Sequence, residues 1–163
     1  MTDIVKFVHA ACPEAANEPL HYTACGLDNI YLVSGFNRKN VAGETYVSVN
    51  DVEDLHEAIA LTLARKKLLS GAEIRFLRKY LEYTQSDLGD WLGVSDQSIA
   101  RYEKDRGSMD SSADAILRLL VIGKIAKTVD VHAELEKLRC QDDVPGDRLV
   151  MGRDHDEWRA IAA

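Results

Sequence analysis

Closely spaced helix-capping residues in the middle of the chain constrain its fold more than any other feature of the sequence. Ser70 is followed three residues later by Glu73, which is the capping-box pattern at a helix start. Thr84 and Ser95 are further N-cap residues, and apolar residues follow each cap at helical spacing. Gly93 can take the positive φ of a tight turn. The pattern predicts three short helices, with a tight turn between the second and the third.

The sequence after these helices predicts more helix. The stretches "SSADAILRLLVIGKIA" and "TVDVHAELEKLRC" repeat apolar residues three or four apart, which indicates a fourth and a fifth helix. Two helices joined by a tight glycine-containing turn, the second one polar on its outer face, have helix-turn-helix geometry. We therefore predict an all-α domain of about five helices over residues 68–140.

The residues around the tight turn resemble a known family. The stretch "TQSDLGDWLGVSDQSIARYEKD" is similar to the Xre/Cro/CI family of phage-repressor-like DNA-binding domains, over about residues 70–122. The matching features are Thr84-Gln85, Leu88, Gly93-Val94-Ser95, Ile99 and the "RYEK" that closes the third helix. The resemblance implies a sequence-specific transcriptional regulator, and we expect a repressor. One such domain reads few base pairs, so we expect a homodimer on a palindromic operator in double-stranded DNA.

The polar face of the third helix supplies the candidate DNA contacts. Gln97 is suited to the N6 and N7 atoms of adenine, and Arg101 to the O6 and N7 atoms of guanine. Asp96 can accept from a cytosine amine or serve the helix dipole, and we favour the second role. At the start of the preceding helix, Gln85 can present its side chain and nearby backbone N–H groups to a phosphate. The predicted DNA-binding residues are Gln85, Ser95, Asp96, Gln97, Ser98, Arg101, Lys104 and Arg106.

The resemblance also implies two structural features. Glu103 and Arg78 match family positions that form a buried ion pair between the third and the first helix of the domain. Asp105 stands where the family often has glycine, and Asp tolerates positive φ better than most residues. The loop through Gly107 is therefore expected to differ from the family's in its backbone contacts.

The N-terminal part of the chain reads as a small α+β domain. The stretches "NIYLVSGF" and "GETYVSV" predict two antiparallel strands, with the turn-rich "NRKNVAG" as the linker between them. The amphipathic "NDVEDLHEAIALTLARKKLL" predicts the helix that follows. We thus expect an α+β fold class with a β-hairpin/helix domain at 1–67, the all-α helix-turn-helix domain at 68–140, and a loosely ordered C-terminal tail at 141–163.

This layout is similar to that of MqsA-type antitoxins, which join an N-terminal zinc-binding domain to a C-terminal helix-turn-helix domain. Their N-terminal domain binds a ribonuclease toxin. The resemblance implies an alternative function, an antitoxin that sequesters a toxin through its N-terminal domain and autoregulates its operon. We interpret "GLDNIYLVSGF" as a zinc-free structural core whose exposed strand edge is the partner surface. The family's paired CxxC ligands are missing, although a substitute set has the ligand types that zinc prefers: His9, Cys12, His21 and Cys25. Because the spacing of these four residues is irregular, we expect no bound metal. We expect no other cofactor either.

The formal charge of −7 is unevenly distributed along the chain. Residues 1–64 carry three Lys/Arg against nine Asp/Glu, whereas residues 65–106 carry nine against seven. The acidity lies mostly outside the presumed DNA-binding segment, so it does not exclude DNA as a partner. We expect weak non-specific binding and strong salt dependence.

Several classes of protein are disfavoured by what the sequence lacks. The three cysteines are odd in number and widely spaced, unlike a disulfide framework. No apolar run approaches the length of a membrane span, and the N-terminal residues lack a secretion-signal pattern, so we expect a cytoplasmic protein without membrane contact. The sequence shows no nucleophile with a nearby base and no glycine-rich loop that could bind a phosphate. It also shows no pair of acidic residues within a recognisable catalytic motif, so we expect no enzyme activity. A small-molecule sensor remains an open alternative, since sequence does not reveal an apolar pocket.

Overall fold

The computed structural model describes residues 6–10, 18–126, 128–139 and 148–161, with the backbone alone described for 6–10. The chain divides into two compact units. The first comprises residues 1–59 together with 146–163, and the second comprises residues 60–145. The α+β class predicted from the sequence is confirmed, with strands in the first unit and helices dominating the second.

The first unit contains two β-sheets. Its strands are β1 (Lys6–Ala10), β2 (Leu20–His21), β3 (Ile30–Leu32), β4 (Phe36–Val41), β5 (Glu44–Val49), β6 (Leu149–Asp154) and β7 (Glu157–Ala160). One sheet is antiparallel, with the order β1-β5-β4. The other has the order β2-β3-β6-β7, and in it β3 and β6 run parallel. Helix α1 (Val52–Ala64) follows β5 and buries Leu55 and Ile59 completely.

The hairpin of the first unit lies later in the sequence than predicted. The polar segment expected to be a linker forms most of β4, which pairs with β5 from Phe36↔Val49 to Val41↔Glu44. Ala42 and Gly43 close the hairpin with φ of 54° and 87°, the left-handed values that a tight two-residue turn requires. β4 is polar because it is an exposed edge strand, so its sequence resembles that of a loop.

The C-terminal segment differs from the loosely ordered tail expected at 141–163. β6 and β7 pair as a hairpin, and β6 is hydrogen-bonded between β3 and β7. Met151 and Trp158 are buried there, and a Cβ on Gly35 would lie only 2.4 Å from the Trp158 ring. These strands complete the N-terminal unit, which therefore does not end at residue 67. Residues 141–147 lie outside the described part of the chain.

The second unit is helical, as predicted. Its helices after α1 are α2 (Gly71–Tyr80), α3 (Gln85–Leu92), α4 (Asp96–Tyr102), α5 (Ser111–Ile125) and α6 (Val131–Arg139). The predicted capping box at Ser70 is confirmed, and Thr84 forms another. The fully buried side chains at the centre of this unit include Leu77, Leu88, Ile99, Leu117 and Val121. Within the described residues, no helix is both long enough and apolar enough to cross a membrane.

Arg118 ties α5 to the C-terminal end of α1. This side chain is only 1% exposed, and its guanidinium donates to the carbonyls of Ala64 at 3.0 Å, Lys67 at 3.2 Å, and Lys66. It also makes two bonds to Asp114, at 2.6 and 3.1 Å. Carbonyls at the end of a helix have no partner within the helix, so Arg118 supplies the hydrogen bonds that burial there demands.

Candidate nucleic-acid interface

The turn between α3 and α4 is tight and specified by glycine. Gly93 ends α3 in the left-handed conformation, with φ 69° and ψ 29°, as predicted. A Cβ on Gly89 would lie 2.6 Å from the Val94 carbonyl oxygen, so only glycine allows this close approach. Ser95 then caps α4, its hydroxyl accepting from the Ser98 N–H at 3.2 Å. The start of α4 is thereby fixed against the end of α3.

The exposed face of α4 carries the two side chains predicted to read bases. Gln97 and Arg101 are four residues apart and both exposed, whereas Ile99 on the opposite face is completely buried. Among the described residues, the Gln97 carboxamide has no hydrogen-bond partner, while Arg101 makes one long bond, 3.4 Å, to the Arg106 carbonyl. These side chains present their donors outward from a rigid helix.

The other predicted DNA-binding residues at the start of α4 make hydrogen bonds within its first turn. The Asp96 carboxylate accepts from the Gln97 N–H at 2.8 Å, which fits the favoured role at the helix start. The hydroxyls of Ser95 and Ser98 lie 3.0 Å apart. Ser95 is thus a cap with an exposed surface, and Ser98 is half-buried beside it. Among the described polar side chains of this turn, that of Gln97 is the one whose polar group makes no hydrogen bond within the turn.

A buried carboxylate lies beneath the interface. The Glu103 side chain is completely buried and accepts from Arg78 through Nε at 2.5 Å and Nη2 at 3.2 Å. The ion pair implied by the resemblance is thus confirmed. Arg75 Nε and Gln85 Nε2 also donate to the same carboxylate, at 3.4 and 2.9 Å. Burial raises the pKa of Glu103, but hydrogen bonds from Arg78, Gln85 and Arg75 outweigh it and hold the pKa below its ordinary value.

This arrangement changes the environment expected for Gln85. It was predicted to offer its side chain to a phosphate, but it is half-buried and one amide N–H is taken by Glu103. The sequence reasoning also missed Arg75, which lies one helical turn before Arg78 on α2 and reaches the same carboxylate. The spacing of three residues between the two arginines was the available signal, since such residues share a helix face.

The loop after α4 is held by Asp105. This residue has φ of 53°, and its carboxylate accepts from the Gly71 N–H at 2.7 Å. A Cβ on Gly71 would lie 2.6 Å from the Tyr102 carbonyl oxygen, so the start of α2 packs directly on the end of α4. Asp105 therefore takes the positive φ expected of it and also caps α2. Lys104 and Arg106 on either side of it are exposed, as a phosphate contact requires.

The candidate zinc ligands fall partly outside the described residues. Cys12 and the His9 side chain are not described. His21 Nε2 lies 2.6 Å from the Asp28 carbonyl oxygen, and the His21 ring stacks on Tyr31 at 4.8 Å. Cys25 is half-buried, and burial raises the pKa of its thiol. Within the described part of the chain, no three potential ligands come together as a metal site.

Comparison with known proteins adds no assignment to this geometry. No family model, no curated protein and no solved structure matches the chain. The case for any function therefore depends on the α3–turn–α4 unit itself. Its features are a glycine-specified turn, an exposed polar helix face and a buried carboxylate that accepts hydrogen bonds from three side chains.

Proposed function

We propose that the chain is a sequence-specific DNA-binding transcriptional regulator, a repressor that binds a palindromic operator as a homodimer. The observation that carries the proposal is the exposed pair Gln97 and Arg101 on α4, a short helix fixed by its cap and its buried face. An α-helix with its side chains is about 10–12 Å in diameter, which fits a major groove about 12 Å wide.

The charges around α4 support this proposal. Lys104, Arg106 and Arg101 are exposed and cluster at the C-terminal end of the helix, where they suit phosphates flanking a groove. Two acidic groups of this region are engaged locally, whereas Asp90 on α3 is exposed. Asp96 accepts a hydrogen bond at the start of α4, and Asp87 belongs to the capping box of α3. Hydrogen bonds from Thr84 lower the pKa of Asp87, so it stays ionised in this role.

A second candidate function, an antitoxin, is favoured by a different observation. The strand edge expected in "GLDNIYLVSGF" is wrong, because β3 lies between β2 and β6. β4 is instead an exposed edge strand of the sheet β1-β5-β4, and an edge strand is a surface to which a partner can add a strand. In that case DNA binding through α4 serves autoregulation. Co-expression with the product of an adjacent gene, followed by size-exclusion chromatography, would reveal a stable complex, and β4 variants would abolish it.

The experiment that tests the main proposal selects binding sites from random duplex DNA. We expect an enriched inverted repeat with half-site centres about 10 base pairs apart. Fluorescence anisotropy with that operator should then show that Arg101→Ala weakens binding by about 1–3 kcal/mol. Because Arg101 is exposed, the melting temperature of the Arg101→Ala variant should remain close to that of the wild type.

A matched control is Arg139→Ala, which removes an exposed arginine from α6 and should leave operator affinity nearly unchanged. Gln97→Ala is expected to relax specificity at a single position of the half-site. The proposal is wrong if selection enriches no sequence and the wild type, the Arg101 variant and the Arg139 variant bind DNA equally.

A further inference from the structure

Arg75, Arg78 and Glu103 form a cluster with an uncompensated positive charge. Two guanidinium groups surround one carboxylate, so the cluster carries a net charge of +1. The Glu103 side chain is 0% exposed and that of Arg78 is 12% exposed, whereas that of Arg75 is 46% exposed. The positive charge that the carboxylate does not balance therefore reaches the surface at Arg75.

The geometry points to Arg75 as an anchor for a DNA backbone phosphate, oriented by the buried Glu103 carboxylate. This inference rests on the proposed function and adds to it a binding residue on α2, outside the predicted DNA-contacting set. Its ligand is the phosphodiester of duplex DNA, whose oxygens match the fork of a guanidinium.

The contacts of Arg75 suit this role. Its Nε makes one long hydrogen bond, 3.4 Å, to Glu103 Oε2 within their ion pair, and among the described residues its Nη1 and Nη2 have no hydrogen-bond partner. A guanidinium held through Nε has less rotational freedom to lose when its two terminal nitrogens bind a phosphate. A free surface lysine pays that entropy in full.

The position of Arg75 relative to Gln85 and α4 favours a backbone contact over base reading. Arg75 Nε and Gln85 Nε2 donate to the same oxygen of Glu103, so the two side chains are neighbours. Gln85 begins α3, and Arg75 lies on α2, whereas Gln97 and Arg101 lie on the exposed face of α4. A phosphate contact carries no sequence information, so loss of Arg75 should weaken binding to every duplex alike.

The test measures salt dependence with Arg75→Ala, Arg75→Lys and the control Arg139→Ala, which also removes an exposed arginine paired to a glutamate. Anisotropy titrations use the selected operator and a scrambled duplex between about 50 and 200 mM KCl. Arg75→Ala should weaken binding to both duplexes by a similar factor, on the order of tenfold. It should also reduce the slope of log K against log salt by about 1.

The other variants separate charge from orientation. Arg75→Lys keeps the charge but loses the Nε tether, so its affinity should lie between those of the wild type and Arg75→Ala, whereas Arg139→Ala should keep the wild-type slope. An unchanged slope in Arg75→Ala, or a loss confined to the operator, overturns the inference while leaving the proposed function intact. A wild-type protein that binds neither duplex overturns both.

Discussion

Replacing Glu103 with glutamine is expected to destabilise the second unit by about 3–5 kcal/mol at pH 7. The substitution keeps the size of the side chain but removes the charge that balances the nearly buried Arg78. It also replaces one carboxylate oxygen with an NH2 group that faces N–H donors. Since Oε2 accepts from Arg78, Arg75 and Gln85, either orientation of the glutamine amide leaves donors unsatisfied in a buried site.

The effect should depend on pH in a definite direction. The pKa of Glu103 is lowered in the folded protein from its ordinary value of 4.5. A lowered folded pKa means that the carboxylate contributes stability fully above the unfolded pKa, and that this contribution is lost as pH falls through the folded pKa. The difference between wild type and Glu103→Gln should therefore be largest near neutral pH and shrink below pH 4.5.

The measurement is urea unfolding followed by far-UV circular dichroism and by tryptophan fluorescence. The chain has two tryptophans, so a Trp158→Phe background leaves Trp91 as the reporter within the second unit. Glu136→Gln is the matched control, because Glu136 is 51% exposed in its pair with Arg139 and should contribute less than about 1 kcal/mol. A loss below about 1 kcal/mol for Glu103→Gln, or one independent of pH, would refute the reasoning.

Two further substitutions test how the units are built. Arg118→Met should destabilise the second unit by about 3–5 kcal/mol, because it leaves Asp114 and buried carbonyls without their hydrogen-bond donor. Urea unfolding measures this loss, and a change below about 1 kcal/mol would contradict the prediction. Gly35→Ala should lower the thermal stability of the first unit far more than Gly26→Ala. Both glycines have positive φ, but a Cβ at Gly35 meets Trp158 whereas one at Gly26 meets nothing, so equal melting temperatures would show that the C-terminal strands do not pack there.

The helical part of the fold was predictable because its determinants are local. The cap at Ser70 reaches a residue three positions away, as does the cap at Thr84, and both therefore leave a signature within one helical turn of sequence. Gly93 likewise marks its turn through its own backbone conformation. Tertiary contacts such as the hydrogen bond from the Gly71 N–H to Asp105 reinforce helix starts that the local caps already mark.

The sheets of the first unit were less predictable because their partners are distant in sequence. β3 pairs with β6 across more than a hundred residues, so Ile30 and Leu149 are adjacent only in the folded chain. β4 was interpreted as a linker because an exposed edge strand is polar. Pairing across such separations is decided by the whole fold, which a local pattern does not record.

In the candidate site, too, the features set by local sequence were predictable and those set by distant contacts were not. Gln97 and Arg101 follow from helical periodicity, since residues four apart share a face, and both are exposed on that face. The hydrogen bond of Gln85 to Glu103 and the position of Arg75 depend on three separate helices meeting at one carboxylate. Only the Arg78–Glu103 pair of that cluster was anticipated, and it came from the family resemblance.

The net charge of −7 is compatible with the proposed function because electrostatics near a DNA duplex are local. At physiological ionic strength the Debye length is about 8 Å, so exposed acidic groups further away are largely screened. The groups within that distance of a bound phosphate matter most, and the cluster of Arg75, Arg78 and Glu103 carries a net charge of +1. Affinity should then depend on a few fixed cations. Each exposed arginine or lysine removed from a phosphate contact should reduce the slope of log K against log salt by about 1.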